Sequence, residues 1–211
     1  MKKIIVFSVF LVFICCKSKD KTNKFKTKDD ITIGELSKVE SLIINDFLSF
    51  ELNKESNKKF KNLKIFVIEE AIKKTKSLND YEFNYKYKNS WGKFINNWIL
   101  DSIQITTLKF KLVNEIPYSW KTTDFKEINV KIIKNLELKN MTNSISGKIG
   151  QLRPILFLSK PLMLNEVNAL ISFEIGSFQG TYNSTSHSTV LMTKVNEKWI
   201  ENGFYEDGVF N

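Results

Sequence analysis

Histidine, arginine, cysteine, proline and glycine are all scarce in this chain. Its one histidine, His187, excludes a multi-histidine metal site and leaves a single imidazole for catalysis. Arg153 is the sole arginine among 32 basic residues, so little of the bidentate guanidinium chemistry that reads phosphates and bases is present. Three prolines and eight glycines exclude collagen-like and linker-dominated chains. The sequence also lacks a Walker loop, a dinucleotide fingerprint, an EF-hand loop and the G-x-S-x-G nucleophile elbow. What it has is 211 residues, 42% hydrophobic and 13% aromatic, enough apolar surface for one ordinary core and too much for wholesale disorder.

The longest apolar run comes first. Met1-Lys2-Lys3 is followed by Ile4 to Ile14, broken only by Ser8, and then by Cys15-Cys16-Lys17. A basic pair, an apolar segment and a polar flank read as an export signal. In a helix that segment reaches about 16 Å, roughly half of a bilayer core, which is too short to span. Because it ends directly before a cysteine, it resembles the signals of bacterial lipoproteins, whose cysteine is acylated. The resemblance implies a signal peptide at 1–15, lipid attachment at Cys16, an anchored tether at 16–30 and a single domain at 31–211. It also implies a cell-envelope location at the outer membrane, and a domain without disulfides, thiol redox chemistry or cysteine-ligated zinc. The position before Cys16 departs from the usual small residue, since Cys15 stands there. A plain secreted protein is the other reading of the same segment.

The formal charge of +9 falls by two to +7 when Lys2 and Lys3 leave with the signal. A basic surface suits nucleic acid or anionic membrane. An exported chain with one arginine points away from nucleic acid, and solvated lysines account for the rest. From Lys17 to Lys28, six lysines and one acidic residue compose a tether that could also rest on anionic head groups.

Within the domain, Leu36, Val39, Ile43, Phe47 and Phe50 are spaced 3, 4, 4 and 3, which predicts an amphipathic helix of four to five turns. Leu63 to Ile68 predicts a strand. Tyr81, Phe83, Tyr85 and Tyr87 alternate with polar residues and read as a strand with one aromatic face, or as a loop. Trp91, Phe94, Ile95, Trp98 and Ile99 follow Ser90 at helical spacing. Ile105–Val113 and Ile128–Ile132 alternate as strands. Four more strands, Ile155–Leu158, Ala169–Ile175, Thr189–Thr193 and Trp199–Tyr205, are separated by Pro161, by Gly176 through Ser186 and by Asn196-Glu197. The expected class is α+β, a curved antiparallel sheet ending in a C-terminal β-meander and packed against one long N-terminal amphipathic helix.

Candidates for chemistry are few. His187 lies among Ser184, Thr185, Ser186 and Ser188, which suits a Ser–His hydrolase or, more simply, an exposed hairpin histidine. Glu69-Glu70, Asp29-Asp30 and Glu206-Asp207 offer carboxylates that could work in pairs across a cleft or stand solvated at strand ends. Tyr85, Tyr87 and Trp91 are the candidate ligand-binding set, since exposed rings stack on sugars and Lys86 and Lys88 would suit an acidic polymer. Core packing is the competing use of these rings, as it is for Trp98, Trp120 and Trp199.

Leu63-Lys64-Ile65-Phe66-Val67-Ile68-Glu69, Pro117-Tyr118-Ser119-Trp120, Ser159-Lys160-Pro161, Ala169-Leu170-Ile171 and Lys194-Val195-Asn196-Glu197-Lys198-Trp199 together resemble segments of a group of uncharacterised exported bacterial proteins, many of them flavobacterial lipoproteins. The resemblance covers about residues 36–200 and implies fold and export, not an activity. Relatives in that group often carry a cysteine in the turn that is Gly176–Tyr182 here, where there is none. The expected function is therefore a lipid-anchored envelope protein, a non-enzymatic binding or accessory module with an envelope protein or glycan as partner. No cofactor, metal or nucleic acid is expected, and the alternatives are a glycan-binding module or an envelope hydrolase.

Overall fold

A capping box opens the first helix. The Ser37 hydroxyl accepts the Glu40 N–H at 3.2 Å while the Ser37 N–H donates to the Glu40 carboxylate at 2.9 Å, and α1 runs Lys38–Glu51. The computed structural model describes residues 35–87, 98–126, 128–143 and 152–207, all within the unit Ile31–Asn211. Cys16, Trp91 and most of the helix expected around Trp91 lie outside the described residues.

The chain continues as β1 (Ile65–Ile68), α2 (Lys74–Lys86), α3 (Ser102–Leu112), β2 (Val130–Ile133), α4 (Asn135–Asn143), β3 (Arg153–Leu158), β4 (Leu162–Met163), β5 (Asn168–Gln179), β6 (Thr181–Val195) and β7 (Lys198–Tyr205). The seven strands form one open sheet in the order β2-β1-β3-β5-β6-β7, with β4 beside β5. The class is α+β, and β5, β6 and β7 make the meander at the C-terminal end. The sheet is mixed rather than antiparallel, because β1 pairs in parallel with both β2 and β3.

Alternation sorts the strand side chains onto two faces. Ala169, Ile171, Phe173 and Ile175 of β5 join Val67, Leu156, Val190, Met192 and Trp199 under α1, whose Ile43, Ile44, Phe47 and Leu48 are buried against them. The expected helical stripe is rotated: Val39 and Phe50 are about half exposed, and Ile44 and Leu48 take the inner positions. On the other face Leu170, Leu191 and Tyr205 meet Leu78, Tyr81, Ile105 and Leu108 of α2 and α3. Farther along that face Ile68, Ile133, Ile155 and Phe178 pack with Leu138 and Met141 of α4. Helices thus cover both faces, where one helix on one face was expected.

Two expected strands are helices. In α2, Tyr81 and Tyr85 point inward and Phe83 and Tyr87 outward, so a period of two becomes two i,i+4 pairs. Lys76–Asp80 and Glu82–Lys86 add ion pairs at helical spacing. The first turn is capped from afar: Glu115 accepts the N–H groups of Lys74 at 2.6 Å and Thr75 at 2.9 Å. In α3 a second capping box, Asp101 with Gln104, starts the helix and puts Leu108 and Leu112 on the inner side with Phe110 outside.

The expected loop from Gly176 to Ser186 is also strand. β5 and β6 stay paired to Gln179 and Thr181 around Gly180, which sits at φ 87° as few residues but glycine can. The next turn, Asn196-Glu197, has φ of 49° and 64° and closes a two-residue hairpin of the type that matches strand twist.

Candidate functional site

Under α2 the sheet carries polar groups where its other face carries hydrocarbon. Ser77 of α2, Ser159 beyond β3, Ser172 of β5 and Thr189 of β6 are each fully buried. Ser77 Oγ stands 2.7 Å from Ser172 Oγ, and Ser172 Oγ 2.5 Å from Thr189 Oγ1. Thr189 Oγ1 donates to Asp80 Oδ2 at 2.6 Å. An ionised carboxylate only accepts, so the Thr189 proton is spent on Asp80 and its oxygen must receive from Ser172, which in turn receives from Ser77. Ser159 Oγ accepts the backbone N–H of Ser172 at 2.8 Å and ties the relay to the β3–β5 pair.

The relay leads into charge. Lys76 Nζ is 2.7 Å from Asp80 Oδ2 and 3.5 Å from Asp207 Oδ2, and Asp207 Oδ2 is 2.9 Å from His187 Nδ1. Burial pushes the Asp80 carboxyl above the ordinary aspartate range, and the hydrogen bonds from Lys76 and Thr189 offset this only in part. Glu174 is the register partner of His187 across β5 and β6, and its Oε1 accepts the Tyr182 hydroxyl at 2.8 Å. Burial and that carboxylate both push the Tyr182 phenol far up. The Tyr182 ring crosses over Gly176, where a Cβ would stand 2.7 Å from its hydroxyl and 2.4 Å from the Asn183 carbonyl oxygen. Here the absence of a side chain is a packing requirement.

The expected candidates are dispersed differently. His187 and Asp207 come together, with the imidazole Nδ1 2.9 Å from Asp207 Oδ2. Glu69 and Glu70 end β1 in another place, and the segment Pro117–Trp120 crosses beside them: Trp120 N–H donates to Glu69 O, and Trp120 Nε1 to Leu158 O at 3.0 Å. Asp29 and Asp30 lie outside the described residues. Tyr85 stacks edge-on against Trp98 at 5.2 Å, Tyr87 points outward at 50% exposure, and Trp91 lies outside the described residues. Tyr85 and Tyr87 therefore share no face. Trp120 and Trp199 are buried, as core packing requires.

Sequence reasoning missed Ser77, Asp80, Ser172, Glu174, Tyr182 and Thr189. The usable signal was Ser172 in the midst of the apolar run Ala169–Ile175, a polar residue in a strand buried on both faces.

Two open grooves lie elsewhere. One, of about 430 Å³, runs between α1 and β7 and is lined by Asp46, Ser49, Phe50, Asn53, Lys198 and Ile200 among others. The second, of about 410 Å³, lies between the ends of β1 and β2 and α4, with Glu69, Lys134 and Glu137. His187, Asp80 and Asp207 line neither. Among the described residues no group of three metal-ligating side chains occurs, and no helix is long and apolar enough to cross a membrane. Comparison with known protein families, curated proteins and solved structures finds no match to this chain.

Proposed function

We propose that the chain is a lipid-anchored cell-envelope protein, held at the outer membrane through Cys16, whose α+β domain is a non-enzymatic binding or accessory module. The observation that carries this reading is the order Lys2-Lys3, eleven residues from Ile4 to Ile14, then Cys15-Cys16. The commitment of the acid–base groups to one another supports the second half of it. Asp207 serves both His187 and Lys76, Asp80 serves Lys76 and Thr189, and Glu174 serves Tyr182. Groups so engaged hold strands and helix in register. The resemblance to exported flavobacterial lipoproteins points to the same compartment.

A ligand then belongs in the groove between α1 and β7. Phe50 is 46% exposed there, beside the Asp46 carboxylate, the Ser49 hydroxyl and the Lys198 ammonium. An aromatic face bordered by hydroxyl, carboxylate and amine is the chemistry that takes up sugars, which favours an envelope glycan as partner. A second reading, an envelope hydrolase, has one observation in its favour, the His187–Asp207 pair beside Glu174.

Fatty-acid labelling with membrane fractionation of the native protein and of Cys16→Ser tests the anchor. Label in the membrane fraction that disappears with Cys16→Ser is expected; an unlabelled, soluble native protein would overturn it. A glycan array with Phe50→Ala and an activity panel with His187→Ala separate the module from the hydrolase. Activity lost in His187→Ala would replace the leading reading by the second.

A further inference from the structure

The chain's one arginine stands at the end of the sheet where the parallel strands β1, β2 and β3 begin. Phe66 of β1 has Lys131 of β2 and Ile155 of β3 as register partners, so Arg153, two residues before Ile155, lies on the same face as Phe66. The guanidinium carbon of Arg153 is 5.9 Å from the centre of the Phe66 ring, and Lys131 Nζ is 5.6 Å from the same centre. Carrying the β1–β3 register back by two residues sets the exposed Lys64 beside Arg153. Three cationic residues thus share one strand end.

Like charges on neighbouring strands repel, so a cluster of this kind calls for an anion. Lys131 has one in Glu137, at 2.8 Å. Among the described residues Lys64 and Arg153 have no ion pair. Nearby carboxylates are committed or distant: Glu174 accepts the Tyr182 hydroxyl, and Glu69 and Glu70 follow the far end of β1. The loop that leads from α1 into Lys64 adds exposed Lys58, Lys59 and Lys61, against Glu55 alone, which pairs with Lys58. Glu127 lies outside the described residues, and its neighbour Lys126 balances it in the charge count.

We propose that Lys64 and Arg153 bind the acidic groups, carboxylate or phosphate, of an envelope polysaccharide. The site is separate from the α1–β7 groove, and its choice of a polysaccharide rests on the glycan reading given above. Two features select this ligand. A guanidinium presents paired donors that match two oxygens of one oxyanion, and the contact with Phe66 restricts how it turns. Arg153 is also half-buried, so a group projecting from a slender chain reaches it, whereas a flat bilayer surface meets the exposed lysines first.

The experiment offers full-length Cys16→Ser protein, at physiological ionic strength, to polygalacturonate, to phosphomannan and to neutral dextran. Binding to one of the acidic polymers and not to dextran is expected, and which polymer binds separates carboxylate from phosphate. Arg153→Gln and Lys64→Gln should each weaken it by about tenfold. Lys59→Gln, which removes the same charge from the nearby loop, should leave it within about twofold because distant charges are screened. Equal losses in all three variants would overturn the site in favour of general basicity, and binding to neither acidic polymer would overturn it outright. Capture by phosphatidylglycerol vesicles that depends on Arg153, with neither polymer bound, would replace the polysaccharide by lipid. Neutral glycans held through Phe50, with no binding that depends on Arg153, would overturn this site alone and leave the groove intact.

Discussion

The two faces of the sheet solve one problem with different chemistry. Beneath α1 the contact is hydrocarbon and aromatic: Phe47 meets Phe173 with ring centroids 5.1 Å apart, and Ile43, Ile44 and Val190 close around them. Beneath α2 the same strands contribute Ser172 and Thr189, and the helix answers with Ser77 and Asp80. A hydrocarbon interface tolerates sliding, since apolar contact has no direction. A hydroxyl relay tolerates none, since each oxygen has one donor and a fixed distance. The α1 face therefore supplies most of the driving force, and the α2 face specifies register.

The contrast can be broken at either face. Phe47→Asp should abolish cooperative unfolding by circular dichroism, because an unpaired carboxylate would be buried against Phe173. A near-unchanged melting temperature would remove α1 from the core. Thr189→Val should cost about 1–3 kcal/mol in chemical denaturation, since it leaves Lys76 to serve the buried Asp80 carboxylate without the hydroxyl donor and removes the acceptor of the Ser172 hydroxyl. Glu115→Ala should cost less, about 0.5–2 kcal/mol, the usual loss for an uncapped helix start; amide exchange should quicken at Lys74 and Thr75 before the rest of α2.

The smallest effect is a change of pH slope. Because burial raises the Asp80 pKa, the native state takes up this proton at higher pH than the unfolded chain does. Stability from this group is thus gained as pH falls through the raised value and lost as pH rises through it. Asp80→Asn removes the titration, so the stability of the parent relative to the variant should grow from neutral to mildly acidic pH. Taking the difference between the two proteins cancels Glu51, also raised by burial, and Glu82, lowered by its bond from Lys109.

Local chemistry was legible where it was local. Asn196-Glu197 marks its hairpin, and Ser37 with Glu40 marks the start of α1. Asp101 with Gln104 marks α3 equally well, yet the alternation of Leu108, Phe110 and Leu112 with lysines imitates a strand. For α2 the decisive cap, Glu115, stands about forty positions away, so no local window contains it. Parallel pairing of β1 with β2 and β3 is equally non-local. The His187–Asp207 pair lies between these extremes. Counting back from the hairpin turn sets His187 opposite Glu206, and the register shift between Val190 and Met192 moves it to Asp207. A bulge of one residue decides which side chain the imidazole meets.

A double-mutant cycle between Asp80→Asn and Thr189→Val tests most directly whether the buried acid and hydroxyls act as one structural network. The account predicts a coupling of about 0.5–3 kcal/mol for this pair, while Thr189→Val combined with Phe47→Leu, across the sheet, should be additive to within about 0.5 kcal/mol. Additivity at Asp80 and Thr189 would contradict it, and would return Asp80 to the groups available for chemistry.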